Sequence, residues 1–354
     1  MNSKQRVMGV INHKEVDRIP LDLNLMPDVI PCVLEYFKAK NWEELLKLLH
    51  IDFRWAPGFW DLRSVKEFED GSYYNMWGVK IKDNQPIDHP LKDVKTIEQI
   101  ENYPYPDPDN IDYNSYAKDC ENMSNAGYAV YGGALSSITW AASILMGMQN
   151  LFIQMIDNPE IVTMLFERIT HFYLQVLKRI YQNVKGNIDV YFLGDDYGTQ
   201  DGLLIGKKML KRYILPNMKK LITKAKDYNY KVMFHSCGSI HEIIPDLIDI
   251  GIDILDPIQT KAKGMDIISF KKKYGDKITF HGGVDTQFTL PFGSVEDVKN
   301  EVLKLIENVS SGGGFIISSS QSIQNDVPLE NIKTLYYTGY KYGHYNSIGK
   351  SIDD

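Results

Sequence analysis

From residue 128 onward the chain alternates short, nearly continuous apolar runs with longer helical segments. The runs YAVYGG (128–133), DVYFLGDD (189–196), KVMFH (231–235), IDILDP (252–257), KITFHGG (277–283) and GGFIISS (313–319) predict strands. Between them, helices are predicted over SSITWAASIL, from Pro159 to about Gln182, over GKKMLKRYILPNMKKLITKAKD, SIHEIIPDLIDI and VEDVKNEVLKLIENV, and from Leu329 to Tyr342 behind Pro328. Strands this apolar throughout are covered on both faces, as in a parallel sheet wrapped by helices. A spacing of roughly 25–45 residues per unit suits crossover connections. With RIPLDL (18–23) and IDFRW (51–55) the strand count comes close to eight. The prediction is a (β/α)8 TIM barrel over residues 1–354, one domain with an N-terminal hairpin and helical insert at about 56–127. A doubly wound sheet is the alternative; no GxGxxG turn follows an early strand, which weakens its dinucleotide-binding version. Within the insert, residues 64–82 read as an antiparallel hairpin turning at Asp70-Gly71, followed by a proline-rich loop at 103–110.

Charge narrows the function. The 354 residues carry 39 basic and 46 acidic side chains, a net −7. That balance argues against a nucleic-acid partner. The basic side chains are 32 Lys and only 7 Arg. Arg is the usual bidentate partner of carboxylates and phosphates, so a polyanionic substrate is disfavoured. Three scattered cysteines, Cys32, Cys120 and Cys237, fit a reducing compartment. No signal-peptide core or apolar run of membrane-spanning length is present, and a cytoplasmic protein is expected.

In a parallel barrel, chemistry sits where strands exit at their C-terminal ends. Five consecutive exits carry polar groups: Asp195-Asp196-Tyr197, His235-Ser236-Cys237, Asp256 with Gln259, His281 with Asp285, and Ser318 to Gln321. His235 and Cys237 stand two residues apart at a strand end, where extended side chains point the same way and both could bind one Zn²⁺. The alternative is a pair that only packs or hydrogen-bonds. Of Asp195 and Asp196, one is expected to face the mouth and the other to cap a helix. His281 could be a rim histidine, and Asp285 a helix cap. Trp55, Phe59, Trp60, Tyr73, Tyr74 and Trp77 could wall an apolar pocket, or simply pack the hairpin.

The segments VDRIPLDL, GDDYGTQDGLLI, HSCGSIHEIIPDLIDIGIDILDPIQ, ITFHGGVDTQ and VPLENI, with Pro216 between them, resemble the uroporphyrinogen decarboxylase superfamily, in order, from about residue 3 to 343. The resemblance implies a (β/α)8 barrel and one of two chemistries. Decarboxylases of the superfamily grip substrate carboxylates with an Arg-rich segment after the first strand; here that stretch reads Leu23-Asn24-Leu25-Met26-Pro27-Asp28. The branch of methylcobamide:coenzyme M methyltransferases and O-demethylase methyltransferases fits better at His235-x-Cys237, whose counterparts there are zinc ligands. A further Cys near the last strand completes that site; in this chain the region reads Ser318-Ser319-Ser320-Gln321, which leaves the third ligand open among Asp196, His281, Asp285, Gln321 and water. The resemblance therefore implies a methyltransferase moving a methyl group between a small donor or acceptor, such as an aromatic methyl ether, a methylamine-like compound, a thiol or a pterin, and a corrinoid. No DxHxxG corrinoid signature is present, so the corrinoid would arrive on a partner protein. His235, Cys237 and Asp196 are the expected catalytic residues. Trp55, Trp77, Asp195, Tyr197, His281, Asp285 and Gln321 are the expected substrate contacts. A carboxy-lyase and a non-catalytic barrel binding a corrinoid protein are the rival readings.

Overall fold

The computed structural model describes residues 1–56, 63–134 and 136–348. Phe59 and Trp60 lie outside the described residues. Seven parallel strands form one curled sheet in strictly sequential order: β1 (Phe53–Trp55), β6 (Ala129–Gly132), β7 (Val190–Gly194), β8 (Lys231–His235), β9 (Ile254–Ile258), β10 (Thr279–Val284) and β11 (Phe315–Ser319). The short strands between β1 and β6 form a separate antiparallel sheet: β2 (Arg63–Glu67), β3 (Tyr73–Asn75), β4 (Lys80–Lys82) and β5 (Gln85–Pro86). The expected hairpin is thus the first half of a four-stranded meander.

Registry explains the interior. Phe53 pairs with Ala129, Val190 with Lys231, Met233 with Ile254 and His281 with Ile316. Side chains alternate along each strand. One face of the sheet therefore gathers Phe53, Ala129, Val190, Met233, Ile254 and Ile316 into a buried cluster. Two residues further along, the same face presents Trp55, Tyr131, Phe192, His235, Asp256 and Ser318. The concave side is apolar at its base and aromatic and polar at the strand exits.

The base is sealed by a helix over Ser3–Ile11, started by a capping box between Asn2 and Gln5. Its Val7, Val10 and Ile11 join the inner cluster. Beneath it, the fully buried Asp52 receives Arg6 at 2.6 Å, Arg18 at 2.7 and 3.0 Å, Ser3 Oγ at 2.8 Å and the Leu21 N–H at 3.0 Å.

RIPLDL, expected as a strand, makes only isolated bridges, among them Leu21 with Ile317. Its backbone nevertheless bonds on both sides: Asp22 N–H to Ile317 O at 3.0 Å, and Asp52 N–H to Leu21 O at 2.9 Å. The helix expected over 206–227 is interrupted by a π turn at Leu210–Ile214 before Leu215–Asp227 resumes. Pro216 has no N–H for the preceding turn, and the wider turn accommodates that gap. Among the described residues no helix is long and apolar enough to cross a membrane.

Candidate functional site

Two loops build the site at the exits of β7 and β8. They touch backbone to backbone: a Cβ on Gly198 would lie 2.5 Å from Cys237 O, and one on Gly238 would lie 2.6 Å from Gly198 C. Gly238 also takes φ +79, a conformation that favours glycine. The contact is stitched by Asp195 N–H to His235 O at 3.0 Å, Tyr197 N–H to Ser236 Oγ at 2.9 Å and Ser239 N–H to Thr199 O at 2.7 Å. This sets Asp196 against Cys237, whose N–H donates to Asp196 Oδ1 at 2.9 Å. Cys237 Sγ lies 3.4 Å from His235 Nε2, and Asp196 Oδ1 lies 3.9 Å from the same nitrogen. The potential ligand atoms of Asp196, His235 and Cys237 all fall within 4.8 Å of one another, so these three could hold a metal ion.

Behind His235 runs a buried polar chain. His235 Nδ1 meets Asp256 Oδ2 at 2.6 Å; Asp256 Oδ1 meets His281 Nδ1 at 2.6 Å; His281 Nε2 meets Asp22 Oδ2 at 3.0 Å. Burial works against charge on His235, but the Asp256 carboxylate outweighs it and holds the imidazole well above its ordinary value. Burial likewise opposes His281, yet Asp256 and Asp22 raise it to about 9. Burial alone would raise Asp256; the two imidazoles instead hold it well below the usual carboxylate range. Burial pushes the Cys237 thiol up, with His235 pulling the other way. An Asp–His pair of this kind fixes the tautomer that leaves Nε2 free for a metal.

One wall beside His235 is aromatic. Phe192 lies 5.9 Å from the His235 ring, Trp55 lies 5.3 Å from Phe192, and Tyr131 lies 4.9 Å from Trp55, centroid to centroid. All three are half-buried, and Tyr131 and Phe192 pack on the inner cluster. Opposite, Gln321 places Nε2 2.7 Å from Cys237 Sγ while its Oε1 accepts from the Ser322 N–H at 2.8 Å.

Comparison with known proteins adds the lineage. The sequence model described as uroporphyrinogen decarboxylase (URO-D) matches residues 77–342, three quarters of the chain. The chain belongs to the uroporphyrinogen decarboxylase (URO-D) family. Within URO-D relatives, it is 27% identical over 155 residues to the methylcobamide:CoM methyltransferase MtaA of Methanosarcina barkeri, a match spanning 43% of this chain and 41% of that protein. A uroporphyrinogen decarboxylase from Pseudoalteromonas atlantica is 30% identical over 78 residues, 22% of this chain and 21% of that one. The match thus spans well under half the length of these curated relatives. A methyltransferase from Methanosarcina mazei superposes over 97% of this chain and 99% of its own with TM-score 0.71 at 18% identity, which shows a shared URO-D-type fold.

The sequence-derived residues divide in two. Asp196, His235, Cys237 and Gln321 come together, with Trp55 in the aromatic wall and His281 at the back of the polar chain. The other four are engaged elsewhere. Trp77 is 1% exposed and packs on Phe172 and Tyr173 of the helix Pro159–Val184, so it anchors the meander instead of walling the mouth. Asp195 accepts the N–H groups of Thr139 and Trp140 at the start of the helix Ile138–Met146, and burial raises its carboxyl to about 7. Tyr197 is fully buried and donates to Asp195 Oδ2 at 3.1 Å. Asp285 accepts from the N–H groups of Gln287, Phe288 and Thr289, each at 2.9 Å, as a cap. Asp22, Tyr131 and Phe192 were not among the expected site residues, and Asp256 was expected only as a polar group at a strand exit. The signal for Phe192 and Asp256 was period-two alternation, which puts them on the same strand face as His235.

Proposed function

We propose that the chain is a methyltransferase that moves a methyl group between a small methyl donor or acceptor and a corrinoid carried by a partner protein. The observation that carries the reading is the approach of the Asp196, His235 and Cys237 ligand atoms at the strand exits. An imidazole, a thiolate and a carboxylate suit zinc, which when bound lowers the pKa of a coordinated thiol or polarises a coordinated heteroatom. In this reading His235 and Cys237 ligate, with Nε2 presented by the Asp256 contact at Nδ1. Trp55, Tyr131 and Phe192 receive the apolar part of the substrate and exclude water beside the reacting heteroatom. His281 and Asp22 hold Asp256 in place. The methyltransferase names of the Methanosarcina relatives support the same class.

The reading includes the architecture. Residues 20–25, bonded to β11 on one side and to Asp52 on the other, stand in the place of an eighth strand and close the sheet into one barrel domain, with the meander as an insert.

Decarboxylation, the activity in the family's own description, is the second reading. Against it, six of the seven arginines are engaged by groups other than the site residues. Arg6 and Arg18 bind Asp52, Arg54 binds Glu43, Arg179 binds Asp109, and Arg168 and Arg212 lie over Tyr105 and Tyr213. A substrate with many carboxylates would lack its usual partners.

The test is the cobalamin spectrum. Zinc-loaded protein is incubated with cob(I)alamin and a panel of methoxylated aromatics and methylamines, and separately with methylcobalamin and thiols or pterins. Interconversion of the two cobalamin spectra with one panel member supports the reading. No change with any member, alongside carbon dioxide release from a small acid, would replace it with decarboxylation.

A further inference from the structure

We propose that Asp196 and Gln321 divide the task of the absent last-strand ligand: Asp196 ligates the metal, while Gln321 stays outside the ligand set and donates its amide N–H to the Cys237 thiolate. This rests on the metal-holding reading above and states which side chains complete it.

The Gln321 amide is oriented by its neighbour. Its Oε1 accepts the Ser322 N–H at 2.8 Å, which turns Nε2 towards Cys237 Sγ at 2.7 Å. A primary amide nitrogen is a donor with no lone pair to give a cation, and only the oxygen could ligate. Here the oxygen bonds to the Ser322 backbone and it is the nitrogen that faces Cys237. Gln321 therefore stands where a ligand is expected but supplies a hydrogen bond to sulfur.

Asp196 meets the opposite conditions. Its Oδ1 is 3.9 Å from His235 Nε2, which is itself 3.4 Å from Cys237 Sγ. Bonds of about 2.0–2.3 Å to tetrahedral zinc put neighbouring ligand atoms roughly 3.3–3.8 Å apart. A small closing movement of the Asp196 carboxylate, whose side chain is 61% exposed and free to make it, completes the set. The Cys237 N–H already holds that carboxylate at 2.9 Å, and the contact between Gly198 and Gly238 fixes the two loops that carry the donors.

The chemical consequence is a mixed nitrogen, sulfur and oxygen site. One thiolate and one carboxylate neutralise a divalent ion. The single thiolate donates less electron density because the amide N–H draws on its lone pair. Such a metal is a stronger Lewis acid than one bearing two thiolates.

Metal binding by the full chain, without any methyl-transfer assay, tests this. Metal-free protein is titrated with Co²⁺ and with Zn²⁺ against a chromophoric chelator, and circular dichroism confirms that each variant is folded. Wild type should bind one ion per chain and show a thiolate-to-cobalt charge-transfer band. Asp196→Asn should weaken binding by on the order of 100-fold. Gln321→Leu should keep the stoichiometry and an affinity within a few-fold of wild type, but move the charge-transfer band to lower energy, because the sulfur lone pair loses its donor. Asp196→Asn binding as tightly as wild type would overturn the proposal. So would Gln321→Leu losing metal as Cys237→Ala does, or leaving the band unmoved. A wild type that binds no metal overturns it together with the metal-holding reading. The expected pattern supports it whether or not methyl groups move, so the two readings fail separately.

Discussion

Replacing Asp256 by Asn removes the anion held between the half-buried His235 and the buried His281. His281 sits 2.6 Å from Asp256 and 3.0 Å from Asp22, with its side chain 5% exposed. Its pKa of about 9 exceeds the ordinary 6.5. At 1.36 kcal/mol per pH unit, that gap is worth about 3 kcal/mol. The sign follows from proton counting. The unfolded chain releases this proton near pH 6.5, whereas the folded chain keeps it to about 9. The stabilisation is fully present below 6.5 and is lost as pH rises through 9. Metal-free wild type should therefore lose about 3 kcal/mol of unfolding free energy across that window, with a limiting slope near 1.4 kcal/mol per pH unit. His235, also raised, adds to the loss in the same direction. In Asp256→Asn, burial prevails over the remaining Asp22 contact, His281 falls back and most of the slope disappears. Urea unfolding followed by circular dichroism from about pH 6.5 to 9.5 measures this, and ring-carbon NMR titration of His281 measures its cause. A wild-type free energy that stays flat over this window, or a mutant with an undiminished slope, would refute the reasoning.

Two further substitutions probe the framework. Asp52→Ala leaves the buried Arg18 without its carboxylate partner and Arg6 with Asp17 alone, and should cost about 3–5 kcal/mol in urea unfolding; a loss under 1 kcal/mol would mean that Arg18 reaches water. Trp77→Ala should cost about 3–5 kcal/mol because the ring is buried against Phe172 and Tyr173. Chelator competition should give the folded Trp77→Ala protein wild-type metal affinity, and a large drop would return Trp77 to the site.

Much of the architecture was legible because parallel strands buried on both faces write themselves as apolar runs. KVMFH and Lys231–His235 coincide, and DVYFLGDD overlaps Val190–Gly194. RIPLDL was less legible. Pro20 has no N–H to donate, and the segment bonds to each neighbour through isolated contacts instead of a ladder. Position at a strand exit was the useful signal for His235 and Cys237. It could not separate Asp195 from Asp196: adjacent side chains diverge, and only the helix start at Thr139 decides which one is buried as a cap. In the polar chain through Asp256, His281 and Asp22, the directly bonded His281 and Asp22 lie 259 residues apart in sequence, so no local spacing could announce it. Trp77 misled because an aromatic in a hairpin looks alike whether it faces a mouth or a helix.

Transfer of a carbon-13 methyl label to or from cobalamin, measured with zinc content on the same samples of wild type and Cys237→Ala, bears most directly on the proposed chemistry. Wild type should hold one zinc per chain and move the label with at least one member of the donor and acceptor panels, and Cys237→Ala should do neither. Label moved by Cys237→Ala at the wild-type rate, or by neither protein with any panel member, would contradict it.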